Sequence, residues 1–384
     1  MDFEFSEEQK ILSNTLGQWV EKEADPLLAG YPADQSLPKE ACQKLMGKLQ
    51  PFGALGARVP VQDGGSGLGA VGAGILAESL PYCVASLANS TEVAAVRICF
   101  QGSEELKNRF VPQLLTGDKI GTSATSEPNV GSDPRGVETK AIRSGREYII
   151  NGTKIWVTNG SVSDVIIVTA ATGKDKRGRN ELTRFVVEKE KSPFEAREIS
   201  RLGTNQAHLS EVVFTDCHVP EQNMVGVPGD AHKVLSATWL SNRPILGLCA
   251  VRVAQNAIDA ATAYAKERKQ FDKVIASFQL IQSTLVEMTA LVDASRLLCY
   301  RALSMVDKGR GSFKDSSIAK YFAAEAAIKV TSMAIGVHGA FGVSRESSVE
   351  RLYRDARVIA FADGTPEIMK LIAGREITGI RAFV

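Results

Sequence analysis

Tyr148-Ile149-Ile150-Asn151-Gly152-Thr153-Lys154-Ile155-Trp156-Val157-Thr158-Asn159-Gly160 is the stretch from which the layers of this chain can be worked out. Runs of β-branched and aromatic residues stand on either side of Asn151-Gly152, a turn dipeptide, so the segment predicts a β-hairpin. Strand alternation sets Trp156 and Thr158 against Ile155 and Val157, so one face presents an indole beside a hydroxyl. Similar runs follow at Val165-Ile166-Ile167-Val168 and Val212-Val213-Phe214, with turn residues such as Asn159-Gly160 between them. The basic cluster from Lys174 to Arg179 reads as a solvated loop between strands. Residues 119–228 are therefore expected to form an antiparallel β domain.

On both sides the pattern changes to helix. Ser6-Glu7-Glu8-Gln9 is a capping-box pattern ahead of an amphipathic run from Ile11 to Val20. Glu40 to Leu49, Leu68 to Leu80 and Ser103 to Leu115 continue the helical period, and Gly117-Asp118 closes the last. Beyond the strands, long helices are expected from Ala231 to Arg268, Phe278 to Lys308 and Ser316 to Val337. The alanine-rich third suits close helix packing, with Lys320, Glu325 and Lys329 read as its exposed stripe. The expected class is α+β: a helical domain over 1–118, the β domain over 119–228, and a four-helix-bundle-type domain over 229–384.

The 384 residues carry 45 basic and 44 acidic side chains, a formal charge of +1, which gives no footprint for nucleic acid or a membrane surface. No apolar run of about 18 residues suggests a membrane span. The acidic opening Met1-Asp2-Phe3-Glu4-Phe5 does not resemble a signal peptide. Cys42, Cys83, Cys99, Cys217, Cys249 and Cys299 are scattered without CxxC or zinc spacing, so reduced thiols, a cytoplasmic location and no metal are expected.

Near the end, Arg354-Asp355-Ala356-Arg357-Val358-Ile359-Ala360-Phe361-Ala362-Asp363-Gly364-Thr365-Pro366-Glu367-Ile368 runs from a helix into a new one. Thr365 suits an N-cap and Pro366 the first helical position, so Asp363 sits on the connector, where a loop between rigid elements can aim a carboxylate.

Taken singly, these features have ordinary explanations: a surface Asp at a turn, a core tryptophan, a polar turn at Thr125-Ser126-Glu127-Pro128-Asn129-Val130-Gly131-Ser132-Asp133, a solvated arginine in Arg268-Lys269-Gln270-Phe271-Asp272. Together, and over nearly the whole length, they resemble the acyl-CoA dehydrogenases. That resemblance implies the α, β, α architecture, a bound FAD, an acyl-CoA substrate, an electron-transfer flavoprotein as acceptor and a homotetramer. It implies flavin contacts from Thr125, Ser126, Ser132, Trp156 and Thr158. Arg268 and Phe271 would reach the FAD of a neighbouring subunit, and Gln279, Gly339, Ala340 and Thr365 would complete the cofactor set. Ser132, Arg243, Ala362 and Gly364 fall at substrate positions.

The departures matter as much. Gly336-Val337-His338-Gly339 lacks the family's glutamine, Asp272 replaces a glycine, and Ala362-Asp363 stands in place of Tyr-Glu. In the family that Glu removes the α-proton of the thioester; some members carry the base beside the Arg-Pro of the first bundle helix instead. Here that second place is Asn242, so Asp363 is the acid available at either location. A shorter base beside a vacated neighbour favours an alicyclic or branched acyl group. The competing expectation is a non-dehydrogenase flavoprotein, or a partner subunit with little chemistry of its own. An acyl carrier-protein thioester is a further alternative to CoA.

Overall fold

The computed structural model describes residues 4–382, except the side chains of 232–237. Met1 to Phe3 of the acidic opening, and Phe383 and Val384, lie outside the described residues. The chain forms two compact units. The first comprises the chain up to Leu76, Cys83–Ser200 and Asn205–Thr238; the second comprises Ala77–Tyr82, Arg201–Thr204 and the chain from Trp239 onward.

The capping box closes as the sequence predicts: Gln9 N–H donates to Ser6 Oγ at 3.3 Å and Ser6 N–H to Gln9 Oε1 at 3.1 Å, opening α1 (Glu7–Trp19). A π-turn leads into α2 (Asp25–Ala29), followed by α3 (Lys39–Leu49), α4 (Gly69–Ser79), α5 (Tyr82–Gln101) and α6 (Glu104–Thr116). Ser103 caps α6 and Gly117 ends it in the left-handed region. Helix α5 leaves no clear periodic trace in the sequence because it is buried on most sides, including Thr91, Glu92 and Arg97. By length and composition, α5 and the stretch Phe313–Val343 could each cross a membrane; the apolar window of α5 is 78% buried inside the protein, as in a core helix.

The strands β1 (Gly121–Ala124), β2 (Lys140–Ser144), β3 (Glu147–Thr158), β4 (Val165–Lys174), β5 (Asn180–Glu188), β6 (Glu195–Glu198), β7 (Leu209–Pro220) and β8 (Met224–Val225) form one sheet. Its order is β6-β7-β3-β2-β4-β5-β8, with β1 alongside β4. Most pairings are antiparallel, but β1 runs parallel to β4, and β2 meets β4 in parallel at Lys140 and Ala171. The sheet is mixed because β1 enters directly from α6 and reaches β4 over a long crossover, not a hairpin. One face buries Ile150, Val157, Phe185 and Phe214; on the other, Val165, Ile167 and Val186 pack with Ile98 of α5 and Phe110 and Leu114 of α6.

Asn151-Gly152 is not the hairpin turn that its sequence predicts. The reversal lies at Gly145-Arg146, where Ser144 pairs with Glu147. Asn151 instead lies opposite a bulge in β7: Ile150 faces Cys217 and Gly152 already faces Phe214, so Thr215 and Asp216 together oppose Asn151. Asn151 Oδ1 accepts Asp216 N–H at 2.8 Å across it, and Asp216 takes a φ of 44°. Gly152 has a φ of 151°, and a Cβ there would stand 2.5 Å from Thr139 Oγ1, so the dipeptide is needed for the bulge.

Helix α7 (Ala231–Glu267), part of the second unit from Trp239 onward, precedes a short hairpin of β9 (Lys269–Gln270) and β10 (Lys273–Val274). Helices α8 (Gln279–Asp307), α9 (Phe313–His338), α10 (Ser348–Ile359) and α11 (Pro366–Thr378) follow. Helix α9 packs against α8, α10 and α11, burying Ala319, Ala323, Ala327, Val330 and Ala334. Glu325 and Lys329 lie on its exposed side, but Lys320 does not. Its side chain is 1% exposed, because it turns inward to carbonyls of the connector after α10. Among the described residues no disulfide is formed, and no cluster of metal-ligating side chains occurs.

Candidate active site

The first unit carries a platform built on β3. A second bulge lies between Lys154, paired with Val212, and Val157, paired with Ser210, so β3 holds one residue more than β7. Simple alternation therefore fails here: Lys154 and Val157 are both buried, and Ile155 does not share the face of Val157. The extra residue lets Ile155 N–H leave the ladder and donate to Ser126 O at 3.0 Å. Trp156 takes a φ of 59°, unusual for an aromatic residue, and its indole is 56% exposed. Thr158, two residues on, is also on the open side.

Behind this platform lies a buried ion pair. Lys154 Nζ donates to Glu127 Oε1 at 2.7 Å and to Thr125 O at 3.1 Å. The Glu127 carboxylate also accepts Thr139 N–H at 2.9 Å and Glu138 N–H at 2.6 Å. Burial pulls the Lys154 ammonium down to about 8 against the opposing pull of Glu127. For Glu127, burial pushes upward, but Lys154 and its hydrogen bonds win and hold the carboxyl below its ordinary value. Thr125 Oγ1 is tied to Thr169 Oγ1 at 3.2 Å, so the whole turn is held from behind.

The hydroxyls of Ser126, Ser132 and Thr158 and the indole N–H of Trp156 have no hydrogen-bond partner within the protein among the described residues. An open indole, neighbouring unpaired hydroxyls and a rigid turn fit a flat, hydrogen-bonding ring such as a flavin. Ser132 is exposed, one residue before Asp133, which caps a short turn at Pro134–Gly136.

The second unit carries the connector after α10. Asp363 has a φ of 50° and Gly364 a φ of 112°; a Cβ on Gly364 would meet Met369 Cε at 2.6 Å. Thr365 is the N-cap of α11, its hydroxyl accepting Ile368 N–H at 3.3 Å, with Pro366 following as the sequence predicts. Asn242 Nδ2 donates to Asp363 Oδ2, so the residue at the alternative base position serves the acid as a hydrogen-bond donor. Arg243, 3% exposed, lies 5.0 Å from the Trp239 ring and 5.8 Å from Phe313, with Nη1 3.4 Å from Ser317 Oγ. Burial draws its pKa down while the Asp363 charge opposes that. Lys320 Nζ donates to Ala360 O and, at 2.7 Å, to Gly364 O; Ala362 is half-buried between these anchors.

Phe271 and Asp272 form the tip of the β9–β10 hairpin with φ of 54° and 58°, so Asp272 accepts the left-handed turn that a glycine would otherwise make. Phe271 is 87% exposed. Arg268 and Gln279 flank this hairpin on the surface. At the end of α9, His338 stacks on Tyr264 at 4.3 Å and its Nδ1 bonds to Ala334 O at 2.8 Å, while Gly339 and Ala340 are exposed beyond it. Thr125, Ser126, Trp156 and Thr158 thus gather in the first unit, and Arg243, Ala362, Asp363, Gly364 and Thr365 in the second. Lys154, Glu127 and Lys320 escaped the sequence reading. For Lys154 and Lys320, the available signal was a lysine inside an otherwise apolar strand or helix pattern.

Residues 6–118, 122–217 and 233–378 match the models of the acyl-CoA dehydrogenase N-terminal, middle and C-terminal domains. The chain belongs to the acyl-CoA dehydrogenase family, and with it to the FAD-dependent oxidoreductases that act on the CH–CH bond of acyl-CoA thioesters. It is 34% identical to the probable acyl-CoA dehydrogenase YngJ of Bacillus subtilis, over 98% of this chain and 100% of that protein. Its fold is similar to butyryl-CoA dehydrogenase of Megasphaera elsdenii, with a TM-score of 0.92 and 30% identity, covering 98% of this chain and 100% of the other. It is also similar to a glutaryl-coenzyme A dehydrogenase in complex with glutaryl-CoA, with a TM-score of 0.93 and 31% identity, covering 99% and 98%.

Proposed function

We propose that Asp363 is the base that takes the α-proton of an acyl-CoA. Its support is the hydrogen bond from Asn242 to Oδ2, which orients the carboxylate and leaves Oδ1 to receive the proton. Arg243 and the connector residues Ala362 and Gly364 bound the substrate side. Thr125, Ser126, Trp156 and Thr158 would hold the isoalloxazine end of FAD and Ser132 would lie near the pyrophosphate and the acyl-thioester path; Arg268, Phe271, Gln279, Gly339, Ala340 and Thr365 would hold the rest. When bound, FAD supplies the hydride acceptor for Cβ. Lys154 and Glu127 keep the platform rigid, and the buried side of β3 excludes water from behind it.

The short Ala362-Asp363 pair favours an alicyclic acyl group such as cyclohexanecarboxyl, or an α-branched one, since an Asp reaches one methylene less than a Glu. The proposed assembly is a homotetramer; the bare Phe271 at a hairpin tip and Leu280, Val286 and Ile377, 82%, 68% and 66% exposed in the second unit, support burial against other copies. Electron-transfer flavoprotein is the proposed acceptor, and the cytoplasm the proposed location of this thiol-bearing chain. The test is anaerobic flavin bleaching of wild type and Asp363→Asn with cyclohexanecarboxyl-CoA and hexanoyl-CoA. Asp363→Asn should retain yellow FAD and bleach about 10²–10⁴-fold more slowly. Near wild-type bleaching would remove Asp363 as the base, and a wild-type preference for hexanoyl-CoA would defeat the size argument.

A second reading, a partner subunit with little chemistry, draws on His338, whose ring is spent on Tyr264 and Ala334 O where the family has a free amide. A colourless purified homomer would favour it.

A further inference from the structure

Lys320 occupies a place on α9 where its neighbours Ala319, Ala323 and Ala324 are buried small residues. Its Nζ donates to Ala360 O, the C-cap of α10, and to Gly364 O, immediately before the N-cap of α11. The two carbonyls bracket Phe361, Ala362 and Asp363, so one ammonium ties both ends of the connector. We propose that Lys320 is a positioning residue for the base: it holds the connector closed and keeps Asp363 in its left-handed conformation. This rests on the reading of Asp363 as the base and adds what sets its reach.

A non-glycine residue at a φ of 50° persists only where its surroundings determine it more strongly than its own preference. Thr365 and Pro366 fix one side of the connector through the cap of α11, and α10 fixes the other. Neither reaches across the turn; Lys320 does. Hydrogen bonds from an ammonium are stronger than neutral ones, which suits two buried carbonyls that nothing else would neutralise. The charged groups bearing on Lys320 are Asp363 on the connector, Arg243 on α7 and Glu367 on α11. Among the described residues no ion pair gives Lys320 a carboxylate, so Asp363 itself is its main counter-charge. Burial lowers its pKa to about 8, with Asp363 opposing, so the clamp is charged below about 8 and loses its charge as the pH rises through it.

The experiment uses the holoenzyme. In Lys320→Met, kcat for flavin reduction should fall about 10–100-fold with KM within about twofold, the scale of a 1 Å misplacement. The wild-type decline in kcat above pH 8 should be absent in this variant. Hydrogen exchange gives a second readout that needs no turnover. The hydrogen-bonded amides of Phe361 and Ala362 should lose protection in Lys320→Met, and in wild type between pH 7 and 9 after correction for intrinsic rates, while those of α9 keep it. Unchanged protection in wild type across that range, or a Lys320→Met enzyme with wild-type kcat and alkaline limb, would overturn the clamp. A fully active Asp363→Asn would instead remove the base and leave the exchange signature standing.

Discussion

Two buried lysines, Lys154 behind the platform of β3 and Lys320 behind the connector of Asp363, do similar work with different charge partners. Each is within 1% of complete burial and each has its pKa drawn down to about 8 by that burial; Lys154 donates to one carbonyl, Thr125 O, and Lys320 to two, Ala360 O and Gly364 O. Lys154 has a carboxylate of its own, Glu127, which is itself satisfied by two backbone N–H groups. Lys320 has carbonyls and, for charge, Asp363, the proposed base. The proposed cofactor surface is thus backed by a closed ion pair, Lys154 with Glu127. The proposed proton-transfer surface is backed by a lysine whose main counter-charge is Asp363 itself.

The largest way to break that comparison is Lys154→Met. Removing one partner of a buried pair strands the other charge, at a cost of about 3–5 kcal/mol. Loss of thermal stability on this scale is expected, together with weakened FAD retention, and Lys154→Met/Glu127→Gln, which removes the stranded charge but keeps an acceptor for the backbone N–H groups of Glu138 and Thr139, should recover part of the stability. Differential scanning calorimetry and flavin content after gel filtration read both. If Lys154→Met cost no more than Lys320→Met, the claimed asymmetry between a closed pair and a carbonyl clamp would be gone.

How much of this was legible in the sequence follows from which signals are local. The cap at Ser6, the stop at Gly117, the Thr365-Pro366 start and the loop position of Asp363 depend on neighbours within one turn, and each appears where expected. Asn151-Gly152 signalled a special backbone correctly but the wrong one, because a bulge and a turn ask for the same left-handed freedom and only the partner strand distinguishes them. Lys320 was misread as surface because helical spacing cannot tell which side of a helix surrounded by three others meets solvent. Its partners, Ala360 and Gly364, are 40 and 44 residues away in the chain. The donor role of Asn242 was hidden for the same reason, at a separation of 121 residues.

Asn242 gives a finer test of the proton-transfer side. Asn242→Ala removes the donor at Asp363 Oδ2 while leaving the Lys320 clamp in place. A positioning bond of this kind is worth about 1.4 kcal/mol, so kcat should drop about tenfold with thermal stability nearly unchanged. Stopped-flow flavin reduction beside a melting curve separates the two. A variant that lost stability but kept its rate would make Asn242 part of the packing, and the orientation of the carboxylate would then rest on Lys320 alone.

The smallest expected effect belongs to the cap of α11. Thr365 Oγ1 accepts Ile368 N–H, satisfying one of the first-turn donors, and its backbone follows the Gly364 carbonyl that Lys320 holds. Thr365→Ala deletes the cap bond at a cost of about 1 kcal/mol, and Thr365→Ser should restore most of it. Because Pro366 still presets the first turn and Lys320 still ties Gly364, the connector should keep its shape, so kcat should change less than in Asn242→Ala. The distinguishing result is the pH profile. If the clamp is what fixes Asp363, Thr365→Ala lowers the melting temperature but leaves the decline above pH 8 where it was. If the cap fixes the connector instead, that decline should shift or broaden in Thr365→Ala, and the role given to Lys320 would pass to the first turn of α11.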